Sequence, residues 1–260
     1  VNLRGEEQKK EEFLQRFGKN PSNKIQFVEK GTYGEFTLEI QEEQLVIYET
    51  KTNLLLHGRK EVGGDSVAYI VKILESIAEW QQLADLKNQN TEFKEEEIEI
   101  RFVDESDEEN PIEFNTNHVT LSYPKLGKDK DSDGAPLANY YTIKVRNNSN
   151  KSLFISLLHL SNTYGISNHF PCEEIPPNSD WVILDNEHGL IIEQGNQVTD
   201  IFKILVSTES FDDYEFKVAA FEIGKIGSMK RGKSATRSMH SGRKLAEMDW
   251  FARTIKVNTV

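Results

Sequence analysis

The residues with the clearest chemical spacing lie near the C-terminus, between Gly227 and Ser234. They read Gly-Ser-Met-Lys-Arg-Gly-Lys-Ser and match a phosphate-binding loop, in which backbone N–H groups and the lysine surround nucleotide phosphates. Gly232, Lys233 and Ser234 would then contact the nucleotide. However, this loop normally opens a parallel α/β domain, and no apolar strand ending in a magnesium-binding Asp follows it here. We interpret the match as coincidental and keep a nucleotide-dependent enzyme as an alternative.

A second pattern, Asp129-Lys-Asp131-Ser-Asp133-Gly134, imitates the opening of a calcium-binding loop. Calcium prefers carboxylate oxygens, and such a loop also needs a bidentate acid at its twelfth position. That position falls on Tyr140, inside a predicted strand. The sequence therefore predicts a solvent-exposed loop here, and no metal or other cofactor for the chain.

A histidine and the single cysteine, His169 and Cys172, lie three residues apart. A cysteine nucleophile needs a nearby base and surroundings that stabilise the thiolate. Glu173 and Glu174 adjoin this thiol in sequence and would instead raise its pKa, so we interpret Cys172 as a structural thiol and assign no catalytic residue. The other histidines show no metal-ligand spacing: His57, His118, His159, His188 and His240.

The most informative charged segment runs from Lys225 to Lys244. It contains seven basic residues and no acidic one, with Gly, Ser and Met between them. Such a segment is open to a protease that cleaves after Lys or Arg, and it can dock on an acidic protein surface. We predict a processing or docking segment; the alternative is a plain connection between the last two strands. Its basic residues are Lys225, Lys230, Arg231, Lys233, Arg237, Arg243 and Lys244.

Composition restricts the partners. The net charge of −12 argues against nucleic acid and anionic membrane, because phosphate contacts need clustered Lys and Arg. No apolar run is long enough for a membrane span, and the charged N-terminus lacks the apolar core of a secretory signal. A single cysteine fits a reducing compartment, so we expect a cytoplasmic protein. The chain begins with Val rather than Met, which favours a fragment or processed product.

The predicted fold is mainly β: an antiparallel β-sandwich preceded by a small α+β unit. Residues 1–20 form a linker with a short helix, and residues 21–90 form a β-meander followed by one long helix. Apolar residues recur at helical spacing from Val67 to Leu86 and predict that helix. The predicted meander strands are Lys24–Val28, Phe36–Ile40, Leu45–Tyr48 and Leu54–Leu56.

Residues 92–260 are predicted to form the sandwich, because short β-rich runs follow one another at regular intervals. Its central hairpin would join Tyr140–Val145 to Leu153–Leu160 through a polar turn rich in asparagine. The spans Asp104–Asn117 and Lys125–Asn139 are expected to be loops. The other expected strands are Glu92–Val103, Val119–Tyr123, Trp181–Leu184, Leu190–Ile192, Ile201–Val206, Tyr214–Ile223 and Arg253–Val257.

Five stretches together resemble the region that follows the protease domain in bacterial caspase-like, metacaspase-type proteins. In that family the catalytic histidine and cysteine lie upstream, and no residue here matches either. The resemblance implies an accessory region whose β-sandwich senses a partner, binds substrate or restrains the protease. The stretches are Ile77–Asn88, Asn139–Leu160, Ile175–Trp181, Asp200–Asp212 and Asp249–Val257.

We therefore expect a non-catalytic regulatory or interaction module of a bacterial caspase-like cysteine protease, in a stress or defence pathway. Its main partner would be the protease domain, on the same or a processed chain. Two alternatives stay open. One is a free-standing binding or structural module that pairs through exposed sheet edges; the other is a nucleotide-dependent enzyme that uses the Gly227–Ser234 loop.

Overall fold

A computed structural model describes residues 1–19, 21–29, 32–41, 44–60, 64–105, 109, 111–114, 117–121, 139–185, 189–190, 198–213, 225–227 and 248–259. The chain divides into two compact units. The first comprises Val1–Leu83 with Ala220–Thr236, and the second comprises Ala84–Ala219 with Arg237–Val260. The prediction of a mainly β chain, with a small α+β unit followed by strands of a sandwich, is confirmed.

The helices are α1 (Glu7–Phe17) and α2 (Gly64–Ala84), with a 3-10 turn at Glu95–Glu97. Neither helix is long and apolar enough to cross a membrane, within the residues that the structure describes. The strands are β1 (Asn2–Gly5), β2 (Phe36–Ile40), β3 (Gln44–Glu49), β4 (Leu55–Lys60), β5 (Ile98–Asp104), β6 (Ile112–Phe114), β7 (His118–Leu121), β8 (Asn139–Asn147), β9 (Leu153–Leu160), β10 (Ile166–Ile175), β11 (Ser179–Leu184), β12 (Gly189–Leu190), β13 (Val198–Ser207), β14 (Lys225–Gly227) and β15 (Trp250–Thr259).

The first unit contains a sheet with the order β1-β2-β3-β4-β14. The predicted meander is present in β2, β3 and β4, which pair antiparallel. Its expected first strand, Lys24–Val28, is not a strand: β1 pairs parallel with β2 instead. Phe27 from that segment packs edge-on against Phe13 and Phe17 of α1, so the segment covers the helix rather than joining the sheet.

Helix α2 confirms the helical period found in the sequence. Residues spaced three or four apart supply its buried stripe, as an amphipathic helix requires. The Tyr69 hydroxyl lies 2.9 Å from Nε2 of His57 on β4. The buried residues of the stripe are Val67, Ile70, Leu74, Ile77 and Leu83.

The second unit packs two sheets around one apolar core. One sheet has the order β10-β9-β13-β15-β7, and the other has the order β11-β8-β5-β6, with β12 paired to β8. Side chains from the inner faces of both sheets fill the space between them, which is the arrangement of a β-sandwich. The core includes Phe102, Tyr141, Ile143, Val145, Leu153, Ile155, Leu157, Phe202, Ile204, Ile255 and Val257.

The predicted central hairpin is wrong. Strands β8 and β9 belong to different sheets: β8 pairs with β5 and β11, and β9 pairs with β10 and β13. The turn between them is therefore a corner that carries the chain from one sheet to the other. The apolar faces of β8 and β9 both point into the core. The side chain of Asn147 stabilises the corner by donating hydrogen bonds to the carbonyl oxygens of Lys151 and Ile175.

Three further differences concern the strands of the sandwich. The structure adds β10, which was not predicted, and β6, which lies in a span expected to be a loop. β7 pairs parallel with β15, so the sandwich is not antiparallel throughout. The expected strand Tyr214–Ile223 and most of the expected loop Lys125–Asn139 lie outside the described residues.

Candidate functional site

The basic segment is described only at its start. Lys225 lies in β14 and pairs with His57 of β4, so this residue belongs to a strand and not to a loop. Gly227, the first residue of the phosphate-loop pattern, ends the same strand. The other residues predicted for these sites lie outside the described residues: Lys230, Arg231, Gly232, Lys233, Ser234, Arg237, Arg243 and Lys244, together with the calcium-like stretch Asp129–Gly134.

Cys172 lies half-buried on β10. Burial raises the pKa of its thiol, and the charges of Asp213 and Glu173 add to that effect, while hydrogen bonds with Phe211 and Ser210 oppose it. The raised pKa agrees with the structural thiol that the sequence predicts, although burial contributes more to the shift than Glu173 does. A thiol held in the protonated form is a poor nucleophile.

The structure brings together two side chains that no spacing predicted, His159 on β9 and Asp200 on β13. Nε2 of His159 lies 2.9 Å from Oδ1 of Asp200, and its ring stacks on Phe202 with the centroids 4.9 Å apart. The His169 ring is 5.4 Å away, centroid to centroid. Within the described part of the chain, no three His, Cys, Asp or Glu side chains are placed to hold a metal ion. We interpret the pair as a polar contact that closes one end of the core.

Lys203 is a fully buried lysine on β13. Its Nζ donates hydrogen bonds to the carbonyl oxygen of Ala84 at 2.9 Å and to Oγ1 of Thr254 at 3.0 Å. Burial lowers the pKa of this ammonium to about 8, and the charge of Lys87 acts in the same direction. The site is closed to solvent, so we assign Lys203 a structural role.

A groove of about 180 Å³ opens beside the first half of β15. Sites for small molecules usually occupy about 300–1,000 Å³, so this groove is small for a cofactor and suits one large side chain. The residues that line it are Thr91, Phe93, Lys94, Phe251, Ala252 and Arg253.

Two aromatic rings and three cations give the groove its chemistry. The rings of Phe93 and Phe251 lie 5.0 Å apart at an angle of 59°. Nζ of Lys151 is 4.9 Å from the Phe93 ring centre, and the guanidinium carbon of Arg253 is 5.9 Å from the Phe251 ring centre. Lys94 is exposed at the rim. The walls of the groove therefore present aromatic surface with cations lying over it.

Hydrogen bonds hold the two walls together. Nδ2 of Asn88 donates to the Trp250 carbonyl at 2.8 Å. Oδ1 of Asp249 accepts from Oγ1 of Thr91 at 2.8 Å and from the backbone N–H of Glu92 at 3.1 Å. The segment that carries Phe93 is therefore fixed against the start of β15 before any ligand binds, which lowers the entropy cost of binding.

The backbone of β15 also faces this groove. Its Lys256 N–H donates to the Asn117 carbonyl, on the side away from β13, and the Trp250 carbonyl accepts from Asn88. Backbone groups of successive residues point to opposite sides of a strand. Ala252 is an even number of residues from both Lys256 and Trp250, so its N–H and C=O also point away from β13. β7 pairs with β15 only from Lys256 to Thr259, and no other described strand pairs with β15 on that side.

No family model, curated protein or solved structure matches this chain.

The groove was missed by reasoning from sequence because its two walls are far apart in the chain. Thr91 and Asp249, which join the walls, are separated by 158 residues. The local signal was an aromatic residue followed two positions later by arginine, Phe251 and Arg253, at the start of the closing strand. That pattern alone is common on half-buried strands.

Proposed function

We propose that this chain is a non-catalytic interaction module that binds an extended segment of a protein partner along β15. The observation that carries the proposal is the outward-facing backbone of Ala252 beside the Phe93 and Phe251 rings. An extended peptide that adds to a sheet edge gains affinity from main-chain hydrogen bonds and specificity from pockets for alternate side chains. The small volume of the groove supports a peptide side chain rather than a cofactor.

We further propose that the partner is the protease domain of a bacterial caspase-like cysteine protease, of which this chain is a cytoplasmic accessory region. The support for this partner is the resemblance described above. Two of its five stretches, Asp200–Asp212 and Asp249–Val257, overlap the paired strands β13 and β15, and β15 carries three of the residues that line the groove.

The test is site-specific photo-cross-linking in the host cell. Arg253→p-benzoylphenylalanine places a photoreactive ring at the groove, on the same face of β15 as Phe251, and Lys94→p-benzoylphenylalanine does so at the exposed rim. We expect both variants to form an adduct whose second polypeptide is identified by mass spectrometry as a caspase-like protease. Tyr33, an aromatic residue that is 65% exposed in the first unit, provides the matched control position.

The outcomes separate the two parts of the proposal. An adduct at positions 253 and 94 but not at 33, containing the protease, supports both parts. An adduct with a protein of another class overturns the caspase-like partner. If neither groove position forms more adduct than Tyr33→p-benzoylphenylalanine, the groove is not an interaction site and the proposed function is wrong.

A further inference from the structure

We infer that β15 pairs with only three residues of its partner segment, which runs antiparallel to it, and that the middle residue alone directs its side chain into the groove. This inference rests on the proposed function and specifies the kind of strand that the site accepts. It depends on the direction of the backbone groups of β15, on the hydrogen bonds at the two ends of the site, and on the volume of the groove.

The backbone groups of β15 point alternately to its two sides. The Lys256 N–H donates to the Asn117 carbonyl at 2.9 Å, on the side away from β13. The Asp249 carbonyl accepts from the N–H of Thr208 at 3.3 Å, on the β13 side, because Thr208 directly follows β13. The even-numbered residues of β15 therefore direct their N–H and C=O groups away from β13, and the odd-numbered residues direct them towards it.

Two hydrogen bonds mark the ends of the outward-facing stretch. At its start, Nδ2 of Asn88 donates to the Trp250 carbonyl at 2.8 Å. At its end, the N–H of Lys256 is already bonded, and β7 pairs with β15 from that residue onward. The outward-facing residues between these bonds are Ala252 and Thr254. Their backbone groups have no hydrogen-bond partner among the residues that the structure describes.

Strand geometry gives the number and direction of the peptide residues. In an antiparallel pair, residues that exchange two backbone hydrogen bonds alternate with residues that exchange none. One peptide residue therefore bonds Ala252, the next lies opposite Arg253, and the third bonds Thr254. A parallel peptide would need a further residue opposite Ile255, and the register of β7 continues to Asn117 at that position. The site thus accepts an antiparallel segment of three residues.

The side chains of these three peptide residues face alternate sides of the sheet. The middle residue lies opposite Arg253, so its side chain is on the face of β15 that carries Phe251 and the groove. The groove of about 180 Å³ accommodates one large side chain. The partner therefore presents a short extended segment with one large side chain, which leaves the sheet on either side, and not the edge strand of a second sheet.

Amide hydrogen exchange in the cross-linked complex tests the inference. The complex is the adduct formed by Lys94→p-benzoylphenylalanine, and fragmentation of the deuterated peptides resolves exchange to single residues. We expect exchange at Ala252 and Thr254 to slow by about tenfold or more relative to the same variant before irradiation, because their N–H groups gain acceptors. Exchange at Phe251 and Arg253, whose N–H groups point to β13, should not change.

Two substitutions at one position provide a matched control. Ala252→Pro removes the outward N–H but no hydrogen bond to β13, and strands tolerate proline where the N–H faces away from the sheet. Ala252→Val also enlarges the side chain but keeps the N–H. In the Lys94→p-benzoylphenylalanine protein, we expect Ala252→Pro to lower the adduct yield about tenfold and Ala252→Val to change it by less than about twofold. Thermal melting checks that both variants are folded.

The inference is overturned if exchange slows equally at odd-numbered and even-numbered residues of β15, or at neither. Equal adduct yields from the folded proline and valine variants overturn it too. The exchange measurement needs neither variant, so it remains decisive if Ala252→Pro does not fold. Absence of the adduct would overturn the proposed function and this inference with it. An adduct without the alternating exchange pattern would overturn this inference alone and leave an interaction module whose partner docks on the face of the sheet.

Discussion

At Lys203, the protonation of one buried side chain makes the stability of the protein depend on pH. It is fully buried, and its hydrogen-bond partners are a carbonyl and a hydroxyl, Ala84 and Thr254, neither of which carries a charge. A buried ammonium costs free energy when its partners do not neutralise it. The pKa of Lys203 is lowered because burial makes its charged form less stable.

We expect the stability of the protein to change with pH through this residue. The pKa of Lys203 falls from 10.5 to about 8 on folding, so between these values the unfolded chain binds more protons than the folded chain. The contribution of Lys203 to the free energy of unfolding therefore rises with pH in that window. Lys203→Met removes this titrating group. The free energy of unfolding of the wild type, measured by urea denaturation, should therefore increase relative to that of the variant from about pH 8 to pH 10.

Lys51→Met is the control for this measurement, since it removes an exposed lysine. The difference in the free energy of unfolding between Lys51→Met and the wild type should stay constant over the same pH range. Comparing variants at each pH cancels the effects of other groups, such as Tyr141, whose pKa is raised by burial. Parallel curves for the wild type and Lys203→Met would contradict the prediction.

Among the secondary-structure elements, the corner between β8 and β9 determines how the sandwich closes. Asn147 is fully buried there. Its Nδ2 lies 2.9–3.1 Å from the carbonyl oxygens of Lys151, Ile175 and Pro176. Its Oδ1 accepts from the N–H and Oγ of Ser149. One side chain thus ties the corner to the end of β10, which lies in the opposite sheet from β8.

Asn147→Ala should destabilise the protein by about 3 kcal/mol or more. Each buried polar group left without a partner costs about 1–3 kcal/mol, and this substitution affects several. Asn147→Asp should also destabilise it, because a carboxylate would face three carbonyl oxygens. Urea denaturation of each variant measures the change in the free energy of unfolding.

The adjacent Asn148 offers the matched control. It is exposed, and its side chain bonds Arg146 and the Glu96 carbonyl at the surface. Asn148→Ala should cost about 1 kcal/mol or less. Equal losses for the two alanine variants would show that Asn147 does not hold the corner.

For the molecule as a whole, the prediction of a processing or docking segment between Lys225 and Lys244 stays a prediction. Lys225 and Gly227 belong to β14, so the segment that can serve this role begins after Gly227. Strand β15 follows it and pairs with β13 over its whole length. Ile255 and Val257 of β15 lie in the core.

We expect brief trypsin treatment to cleave the chain between Lys230 and Lys244. The C-terminal product should stay bound under native conditions, because β15 lies between β13 and β7 and contributes to the core. Gel filtration should show both products eluting together, and a denaturing gel should separate them. Resistance to trypsin, or release of the C-terminal product from the native protein, would contradict this prediction.

Features that depend on neighbouring residues could be predicted from the sequence. The meander β2–β4, helix α2 and the mainly β composition follow from repeats of two and 3.6 residues, which are local properties of the chain. The charges of the Lys225–Lys244 segment and the raised pKa of the Cys172 thiol could also be predicted without a structure.

Strand pairing and contacts between distant side chains required the complete fold. Local pattern cannot distinguish a hairpin from a corner, because β8 and β9 have the same alternation in either case. His159 meets Asp200 across 41 residues, and Phe93 meets Phe251 only because both pack on one core. Such contacts depend on the global arrangement of strands, so the groove appears only in the folded chain.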